Sequence, residues 1–306
     1  MSAGTVLRLV AVMVLWASCF PLITIGLDLA PHLAFAAMRA ALAGACLLLL
    51  GVALHRPVPR GVSSWGLIAV VAAGATSLGF FGMFHAAEFI APGLATVIAN
   101  AQPLLAAVLA HAVLGERLKI LGMTGLALGF AGIVAIAWPG LTADYGTGYG
   151  LGIGYVALAA AGVAIGNLAI KQLTGKADAI MAMGFQMLIG AVPLALLSVS
   201  TEDISSLAWS AEFVLVLLVL SVFGTSLALW LWFSVLREVD LSRANAFTFL
   251  VPILGLAIGA TVFTERLASA QAVGVVLVLA GIVLVQRGAP ASGAVSVTNG
   301  VGRRSP

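Results

Sequence analysis

Long hydrophobic runs follow one another along nearly the whole chain and are separated by short polar connections. Each run has about the 20 residues that a helix needs to cross the hydrocarbon core of a bilayer. Because every backbone N–H and C=O must be paired inside the membrane, runs of this length are predicted to be helices. We number the runs M1 to M10 in chain order: 6–26, 31–54, 64–87, 94–114, 119–138, 150–171, 179–199, 211–236, 242–263 and 269–286.

The composition agrees with this pattern. Hydrophobic residues make up 62% of the chain and charged residues 8%, and the mean hydropathy is +1.18. A soluble globule needs more polar surface than this, so the chain is predicted to be an all-α integral membrane protein with ten transmembrane helices. The basic residues are scattered over the connections and form no patch, which argues against a nucleic-acid partner.

An internal repeat relates the two halves of the chain. A proline, a charged triplet and an apolar run recur 149 residues later: Pro103, Glu116-Arg117-Leu118 and Ala131-Gly132-Ile133-Val134 become Pro252, Glu265-Arg266-Leu267 and Ala280-Gly281-Ile282-Val283. Each half holds five hydrophobic runs, an odd number, so the second half enters the membrane from the opposite side. The predicted units are two inverted five-helix repeats, 1–144 and 145–287, followed by a disordered cytoplasmic tail, 288–306.

The placement of lysine and arginine predicts the orientation. With the N-terminus in the cytoplasm, the inside connections and chain ends hold 12 of the 14 Lys and Arg residues, whereas Arg266 lies outside and Arg39 lies within M2. Cytoplasmic connections of membrane proteins carry such an excess of basic residues. Both termini are therefore predicted to be cytoplasmic, with the lipid bilayer as a partner.

The inverted repeat also predicts a mechanism. It is characteristic of secondary transporters, in which a site near the middle of the membrane opens alternately to either side. The rival class, a membrane-embedded enzyme, needs an acid or base near its reacting groups. All 11 Asp and Glu residues lie in connections or at the ends of hydrophobic runs. The sequence therefore favours a transporter of a small-molecule substrate over an enzyme, and it predicts neither a cofactor nor a metal site.

Four places in the chain carry a family resemblance: the segment 95–136, its copy 244–285, the run Leu15-Trp16-Ala17-Ser18 and Arg39. They resemble the ten-helix EamA branch of the drug/metabolite transporter superfamily, and the resemblance covers nearly the whole chain. It implies export of small molecules, and within the branch the chain is most like the bacterial exporters of aromatic and other neutral amino acids. This resemblance implies an inner (plasma) membrane of bacterial type. Amino-acid export is the resulting expectation, with export of nucleosides or amphipathic drugs as the alternatives.

Polar and aromatic side chains within the hydrophobic runs are the candidate solute-binding groups. Two trios with a spacing of four residues overlay at the repeat offset: Ser77, Phe81 and His85 on M3, and Ser226, Trp230 and Ser234 on M8. Each trio is predicted to form one helical stripe, which suits a cavity for a small amphipathic solute. The predicted set is Trp16, Arg39, Ser77, Phe81, His85, Asn100, Asn167, Trp230, Ser234, Asn245 and Thr248. The alternative for each polar member is a hydrogen bond that holds two helices together.

Arg39 has two predicted alternatives of its own. An arginine within a span either extends its side chain to the membrane surface or faces the interior, where it meets a carbonyl or the carboxylate of the substrate. By approximate alignment Arg39 occupies the position of Gln186 in the second repeat.

Four prolines lie within the predicted spans, Pro21, Pro103, Pro193 and Pro252, and proline permits a kink because it removes a backbone hydrogen bond. Pro21, Pro103 and Pro252 are the candidate kinks. Pro103 and Pro252 are repeat-related, which predicts paired bends in M4 and M9. Gating and static packing are both consistent with such bends.

Two further expectations concern assembly and energy coupling. M5 carries Gly122, Gly125, Gly129 and Gly132, a stripe that allows close helix packing in a dimer or, as we expect, inside a monomer. No carboxylate reaches the middle of a span, and His85 is the nearest titratable group. Carboxylate-based proton exchangers need such an interior acid, so facilitated transport or solute exchange is expected.

Overall fold

The computed structural model describes residues 1–102, 104–105, 108–109, 120–142, 148–236, 238–239, 244 and 246–288. Six helices in these ranges are long and apolar enough to cross a membrane: Ala3–Leu27, His32–Ala53, Val62–Ala86, Tyr149–Leu173, Ala179–Thr201 and Ala211–Val235. Shorter apolar helices cover Ile120–Ile136, Leu250–Val262 and Ser269–Val285. The predicted all-α membrane architecture is confirmed.

Most of the predicted runs coincide with helices whose ends lie within a few residues of the predicted ones. The first half contains Ala3–Ala17 and Cys19–Leu27 in M1, His32–Ala53 as M2, Val62–Val71, Ala72–Leu78 and Gly79–Ala86 in M3, Pro92–Ala99 in M4, and Ile120–Thr142 as M5. The second half contains Tyr149–Leu173 as M6, Ala179–Thr201 as M7, Ala211–Leu218, Val219–Leu227 and Ala228–Val235 in M8, Ala246–Phe249 and Leu250–Val262 in M9, and Ser269–Gly288 as M10.

Polar side chains begin several of these helices. Ser2, Asp178 and Ser210 accept hydrogen bonds from backbone N–H groups in the first turns of M1, M7 and M8. The first N–H groups of a helix have no partner within the helix, so such caps satisfy donors that would otherwise be exposed to the membrane interface.

A helix break accompanies Pro21 in M1, whereas the helix Ala179–Thr201 of M7 continues through Pro193. Pro21 cannot donate to the carbonyl four residues before it, and M1 is interrupted at Ser18, next to that carbonyl. In M9 a 3₁₀ segment ends at Phe249, and the α-helix that follows contains Pro252. M4 ends its first helix at Ala99, one residue before the position equivalent to Phe249, while Pro103 itself lies outside the described residues.

The glycine stripe of M5 packs against M10 of the same chain. A Cβ atom on Gly125 would lie 2.8 Å from the carbonyl oxygen of Gly281, and one on Gly132 would lie 2.6 Å from that of Gly274. The two helices therefore meet backbone to backbone, which any larger side chain at these positions would prevent. The stripe serves packing within the chain, which is the alternative that we expected.

Contacts between helix ends define two faces of the bundle. On the amino-terminal face, Arg8 forms an ion pair with Glu238 at 2.6 Å. On the opposite face, Glu202 and Glu265 accept backbone hydrogen bonds from the first turns of M2 and M4. The residues that meet on each face are therefore residues that the charge pattern predicts to lie on the same side of the membrane.

The Glu265 carboxylate has a structural role at the start of M4. Its two oxygen atoms accept from the N–H groups of Gly93 and Leu94, at 3.0 and 3.1 Å. Burial raises the pKa of the Glu265 carboxyl above its ordinary value, and the two amide hydrogen bonds act against that rise. Glu265 therefore satisfies the N–H groups at a helix end. Its repeat equivalent, Glu116, lies outside the described residues.

We expect Glu265→Ala to lower the melting temperature of the detergent-extracted protein, because the first turn of M4 loses its acceptor. Loss of a helix cap costs roughly 0.5–2 kcal/mol. Glu265→Gln keeps one acceptor oxygen without a buried charge and should lose less. The control is Arg266→Ala, since Arg266 is the exposed neighbour of Glu265. Equal melting temperatures for Glu265→Ala and Arg266→Ala would contradict this role.

Candidate functional site

M3 and M8 each widen into a π-helical turn at the same position of the repeat. The turns cover Ala72–Leu78 and Val219–Leu227. Both contain the same triplet: Thr76-Ser77-Leu78 and Thr225-Ser226-Leu227. In M8 the two triplet hydroxyls donate, at 3.0 Å each, to carbonyls five residues earlier in the chain. Widened turns of this kind recur at functional sites, because the helix is locally adjustable there.

The serines of the two triplets hold helices together. Ser77 donates to the carbonyl of Gly190 on M7 at 3.0 Å. The single hydroxyl hydrogen of Ser226 is shared between the carbonyl of Ser221 and that of Ala43 on M2, each at 3.0 Å. M3 therefore contacts M7 in the way that M8 contacts M2. For Ser77, the structure supplies the helix-to-helix hydrogen bond that was the alternative to solute binding.

The threonines of the triplets reveal one difference between the halves. Thr76 donates to the side-chain oxygen of Gln186 at 2.7 Å, whereas Thr225 accepts from Nη2 of Arg39 at 3.3 Å. Gln186 precedes Gly190 by four residues, as Arg39 precedes Ala43. Arg39 and Gln186 thus make equivalent contacts, and only one of the two side chains is charged.

Arg39 faces the interior of the helix bundle, with 3% of its surface exposed. Its Nη2 donates to Sγ of Cys19 and to Oγ1 of Thr225, at 3.3 Å each, and its Cζ lies 4.7 Å from the centroid of the Phe80 ring. Among the described residues, the Nε and Nη1 atoms have no hydrogen-bond partner, and no ion pair includes Arg39. The interior-facing alternative for Arg39 therefore describes this structure.

Aromatic rings fill the contact between M3 and M6 near the face of the bundle that is opposite to the amino-terminal face. The His85 ring lies 4.2 Å from Phe81 and 5.0 Å from Tyr155, and Tyr155 stacks on Phe89 at 6.2 Å. Nδ1 of His85 lies 2.8 Å from the carbonyl oxygen of Phe81, which can only accept, so Nδ1 carries a hydrogen. The structure brings Phe81 and His85 together, with Tyr155 as an additional ring.

A cluster of two histidines and two glutamates adjoins this aromatic contact. The rings of His85 and His32 are 4.1 Å apart. Nδ1 of His32 lies 2.7 Å from Oε1 of Glu88, and Nε2 lies 3.5 Å from Oε1 of Glu202. We call His32, His85, Glu88 and Glu202 the His–Glu cluster. It joins the ends of M2, M3 and M7, and thus residues of both halves.

Other predicted site residues lie in separate parts of the bundle. Trp16 packs against Trp232, with 5.4 Å between the ring centroids. Trp230 belongs to a different hydrophobic cluster, formed by residues of M2, M3, M6 and M7. Ser234 accepts from Arg8 at 3.1 Å and donates to the carbonyl of its own helix at Leu231. The predicted aromatic and hydroxyl residues therefore do not form one constellation in this conformation.

The predicted amides and Thr248 are placed as follows. Asn100 donates to the carbonyl of Thr96 within its own helix, at 2.8 Å. The side chain of Asn167 is exposed on M6, and Thr248 is partly buried in the 3₁₀ segment of M9. Asn245 lies outside the described residues. A solute-binding role for these residues stays a prediction.

A groove of about 510 Å³ lies away from these residues, between M5 and M10. Its walls are nearly all apolar and include Val134, Trp138 and Val273. A solute site needs a few placed polar groups as well as apolar surface, so this groove suits a lipid chain better than an amphipathic solute.

Sequence reasoning missed Thr76, Thr225, His32 and Tyr155. The two threonines carried a usable signal, because Thr-Ser-Leu recurs at the same offset of 149 residues as the other repeated motifs. His32 and Tyr155 carried none, since they meet His85 only through the packing of M2 and M6 against M3.

Comparison with known proteins agrees with this architecture. A model of the EamA-like transporter family matches the chain twice, at residues 4–138 and 150–287. A chloroplastic WAT1-related protein of Arabidopsis thaliana is 34% identical over 258 residues, which cover 82% of this chain and 61% of that protein. A probable amino-acid metabolite efflux pump of Salmonella typhimurium is 29% identical over 89% of this chain and 91% of its own length.

A solved crystal structure of another protein shares the fold. Its TM-score is 0.63 at 21% identity, over 93% of this chain and 96% of that one. The double match of the family model covers both halves and fits ten membrane helices arranged as two five-helix repeats. The relatives are transporters rather than enzymes. The chain is thus a multi-pass membrane transporter and belongs to the EamA-like transporter family.

Proposed function

We propose that this transporter exports amino acids, including aromatic ones, by alternating access at a cavity between the inverted repeats 1–144 and 145–287. One observation carries the proposal: Ser77 on M3 bonds to M7 as Ser226 on M8 bonds to M2. Halves that make equivalent contacts can exchange conformations, and a site between them then opens to either side in turn.

Two features favour amino acids as the solutes. A relative that aligns over most of its length is named a probable amino-acid metabolite efflux pump. In addition, the M3–M6 contact offers the rings of Phe81, His85 and Tyr155, which provide stacking surface together with hydrogen-bonding groups. Nucleosides and amphipathic drugs are the alternative solutes, because they too combine an apolar ring with polar groups.

Efflux from liposomes tests the proposal. The purified protein is reconstituted into vesicles loaded with one radiolabelled solute at a time: phenylalanine, leucine, uridine or a cationic dye. We expect release of the amino acids well above the rate of protein-free vesicles, and no comparable release of uridine or dye. Release of uridine or dye alone would contradict amino-acid export and support one of the alternatives.

We also propose that the transporter acts as a monomer in an inner (plasma) membrane of bacterial type, with both termini cytoplasmic. The support for this orientation is the excess of basic residues on the amino-terminal face. The variant Arg56→Cys places a thiol on the amino-terminal face, which we expect to be cytoplasmic. The variant Ser205→Cys places a thiol on the opposite face. In whole cells, an impermeant maleimide should label Ser205→Cys and leave Arg56→Cys unlabelled until the cells are permeabilised. Labelling of both variants in intact cells would contradict the inverted topology.

A further inference from the structure

Arg39 carries a charge that its structural position does not require. The equivalent contact in the other half is made by Gln186, a neutral side chain that is also buried and bonds to Thr76 at 2.7 Å. Gln186 shows that an amide suffices to join the two helices through the threonine of the π-helical turn. The guanidinium of Arg39 therefore needs an explanation beyond helix packing.

The surroundings of Arg39 leave its charge incompletely paired. Its polar neighbours are a thiol and a hydroxyl, both 3.3 Å from Nη2, and both are weaker partners than a carboxylate. The Nε and Nη1 atoms are buried with no acceptor at all among the described residues. A buried charge in this state costs free energy unless a counter-charge reaches it, and intramembrane charges commonly mark substrate sites.

We propose that Arg39 binds the carboxylate of the transported solute, so that the substrates are α-amino carboxylates with an apolar or aromatic side chain. This inference rests on the proposed amino-acid export and adds the group that selects the substrate. A guanidinium presents several N–H donors in a plane that matches the two oxygen atoms of a carboxylate. The rings of Phe80 and Phe84, whose centroids lie 4.7 and 5.9 Å from Cζ, provide apolar surface beside the charge.

The backbone around Arg39 offers a way for a solute to reach it. Cys19 directly follows the interruption of M1 at Ser18, and Thr225 lies in the π-helical turn of M8. Both polar neighbours of Arg39 thus belong to locally irregular segments, which can rearrange with less loss of hydrogen bonding than a regular helix. A rearrangement of either segment is the route by which we expect a solute to reach the guanidinium.

The test compares a solute with its carboxylate-free analogue. Wild-type protein in liposomes is assayed for efflux of phenylalanine and of phenylalaninamide, which lacks the carboxylate and keeps the ring and the amine. We expect phenylalanine to be transported at least about tenfold faster, since an arginine–carboxylate pair is a strong, charge-assisted contact. Equal rates for the two solutes would overturn the inference while leaving amino-acid export intact.

Variants of Arg39 sharpen the comparison. Arg39→Gln, the residue that the second repeat has at this position, should reduce phenylalanine efflux about tenfold and leave phenylalaninamide efflux unchanged. The matched control is Gln186→Leu, which removes the equivalent neutral contact and should affect both solutes alike. Equal losses of both solutes in Arg39→Gln would overturn the inference, because a purely structural role predicts that result.

Two further measurements cover the remaining outcomes. If Arg39→Gln does not fold, the efflux assay of this variant is replaced by a measurement on the wild-type protein. The melting temperature is then compared with phenylalanine and with phenylalaninamide added. Stabilisation by phenylalanine alone supports a carboxylate site, and equal stabilisation by both solutes rejects it. If wild-type vesicles release neither solute but release uridine or a cationic dye, the proposed function itself fails, and this inference fails with it.

Discussion

Gly74→Val is expected to leave almost no folded transporter in a detergent extract, whereas Gly66→Val on the same helix is expected to leave the yield unchanged. Gly74 lies at the contact between M3 and M6, where a Cβ atom would come within 2.6 Å of the carbonyl oxygen of Gly162. A Cβ atom on Gly162 would in turn lie 2.5 Å from the carbonyl oxygen of Gly74. Backbone occupies both sides of this contact, so no flexible side chain can move away.

The expected effect follows from overpacking. Extra methyl groups in a well-packed interior typically cost about 1–3 kcal/mol and occasionally more, and the rigid surroundings of Gly74 place it at the upper end. The measurement is the monodisperse fraction in size-exclusion chromatography together with the melting temperature. Gly66 is the matched control, because a Cβ atom there has nothing within 4 Å. Wild-type behaviour of Gly74→Val would show that M3 and M6 do not pack as closely as this structure has them.

The positions of the helices along the chain were predictable because a bilayer restricts which residues a membrane-crossing segment can contain. A helix that crosses a bilayer needs a continuous apolar run, and its connections concentrate the charges, so both features can be recognised along the chain. The contact of M5 with M10 was predictable only in part. The glycine stripe of M5 indicates close packing, but Gly274 and Gly281 had to be located in space before the partner helix was known.

The π-helical turns were not predictable from the sequence. Because of them, residue spacing alone does not predict which side chains lie on one face of M3. Ser77, Phe81 and His85 were placed on one stripe by assuming a regular helix through M3. The structure has the widened turn up to Leu78, with Ser77 bonded to M7 and His85 directed towards Tyr155. Hydrophobic sequence carries no marker for such a turn other than the repeated Thr-Ser-Leu triplet.

The direction of Arg39 could not be decided from sequence for a related reason. A residue about one-third of the way along a helix can reach the membrane surface or the interior, depending on the rotation of that helix. The close packing of M2 against M7 and the contact of Ser226 with Ala43 set this rotation, and both are tertiary features. The repeat alignment with Gln186 was the part of the prediction that sequence could supply.

We expect transport by this protein to be independent of a proton gradient. Vesicles loaded with phenylalanine should release it without an imposed pH gradient, and an uncoupler should leave the initial rate unchanged. A proton-coupled carrier needs a titratable group that reaches each side in turn, and in known carriers this is commonly an interior carboxylate. The carboxylates of the described residues all lie at helix ends or in connections: Asp28, Glu88, Asp178, Glu202, Asp203, Glu212, Glu238 and Glu265.

The His–Glu cluster is the place where this prediction can fail. The His85 ring lies 4.1 Å from the ring of His32, which contacts Glu88 and Glu202, and 5.0 Å from the ring of Tyr155. Since the cluster joins the ends of M2, M3 and M7, a proton bound there would change contacts between the two halves. His85→Gln keeps a side chain able to donate to the Phe81 carbonyl without titrating. It removes a ring of the proposed site and should lower the rate of phenylalanine efflux, but by the same factor at every pH. Efflux that requires a pH gradient in the wild type, and no longer requires it in His85→Gln, would instead identify the His–Glu cluster as the coupling site.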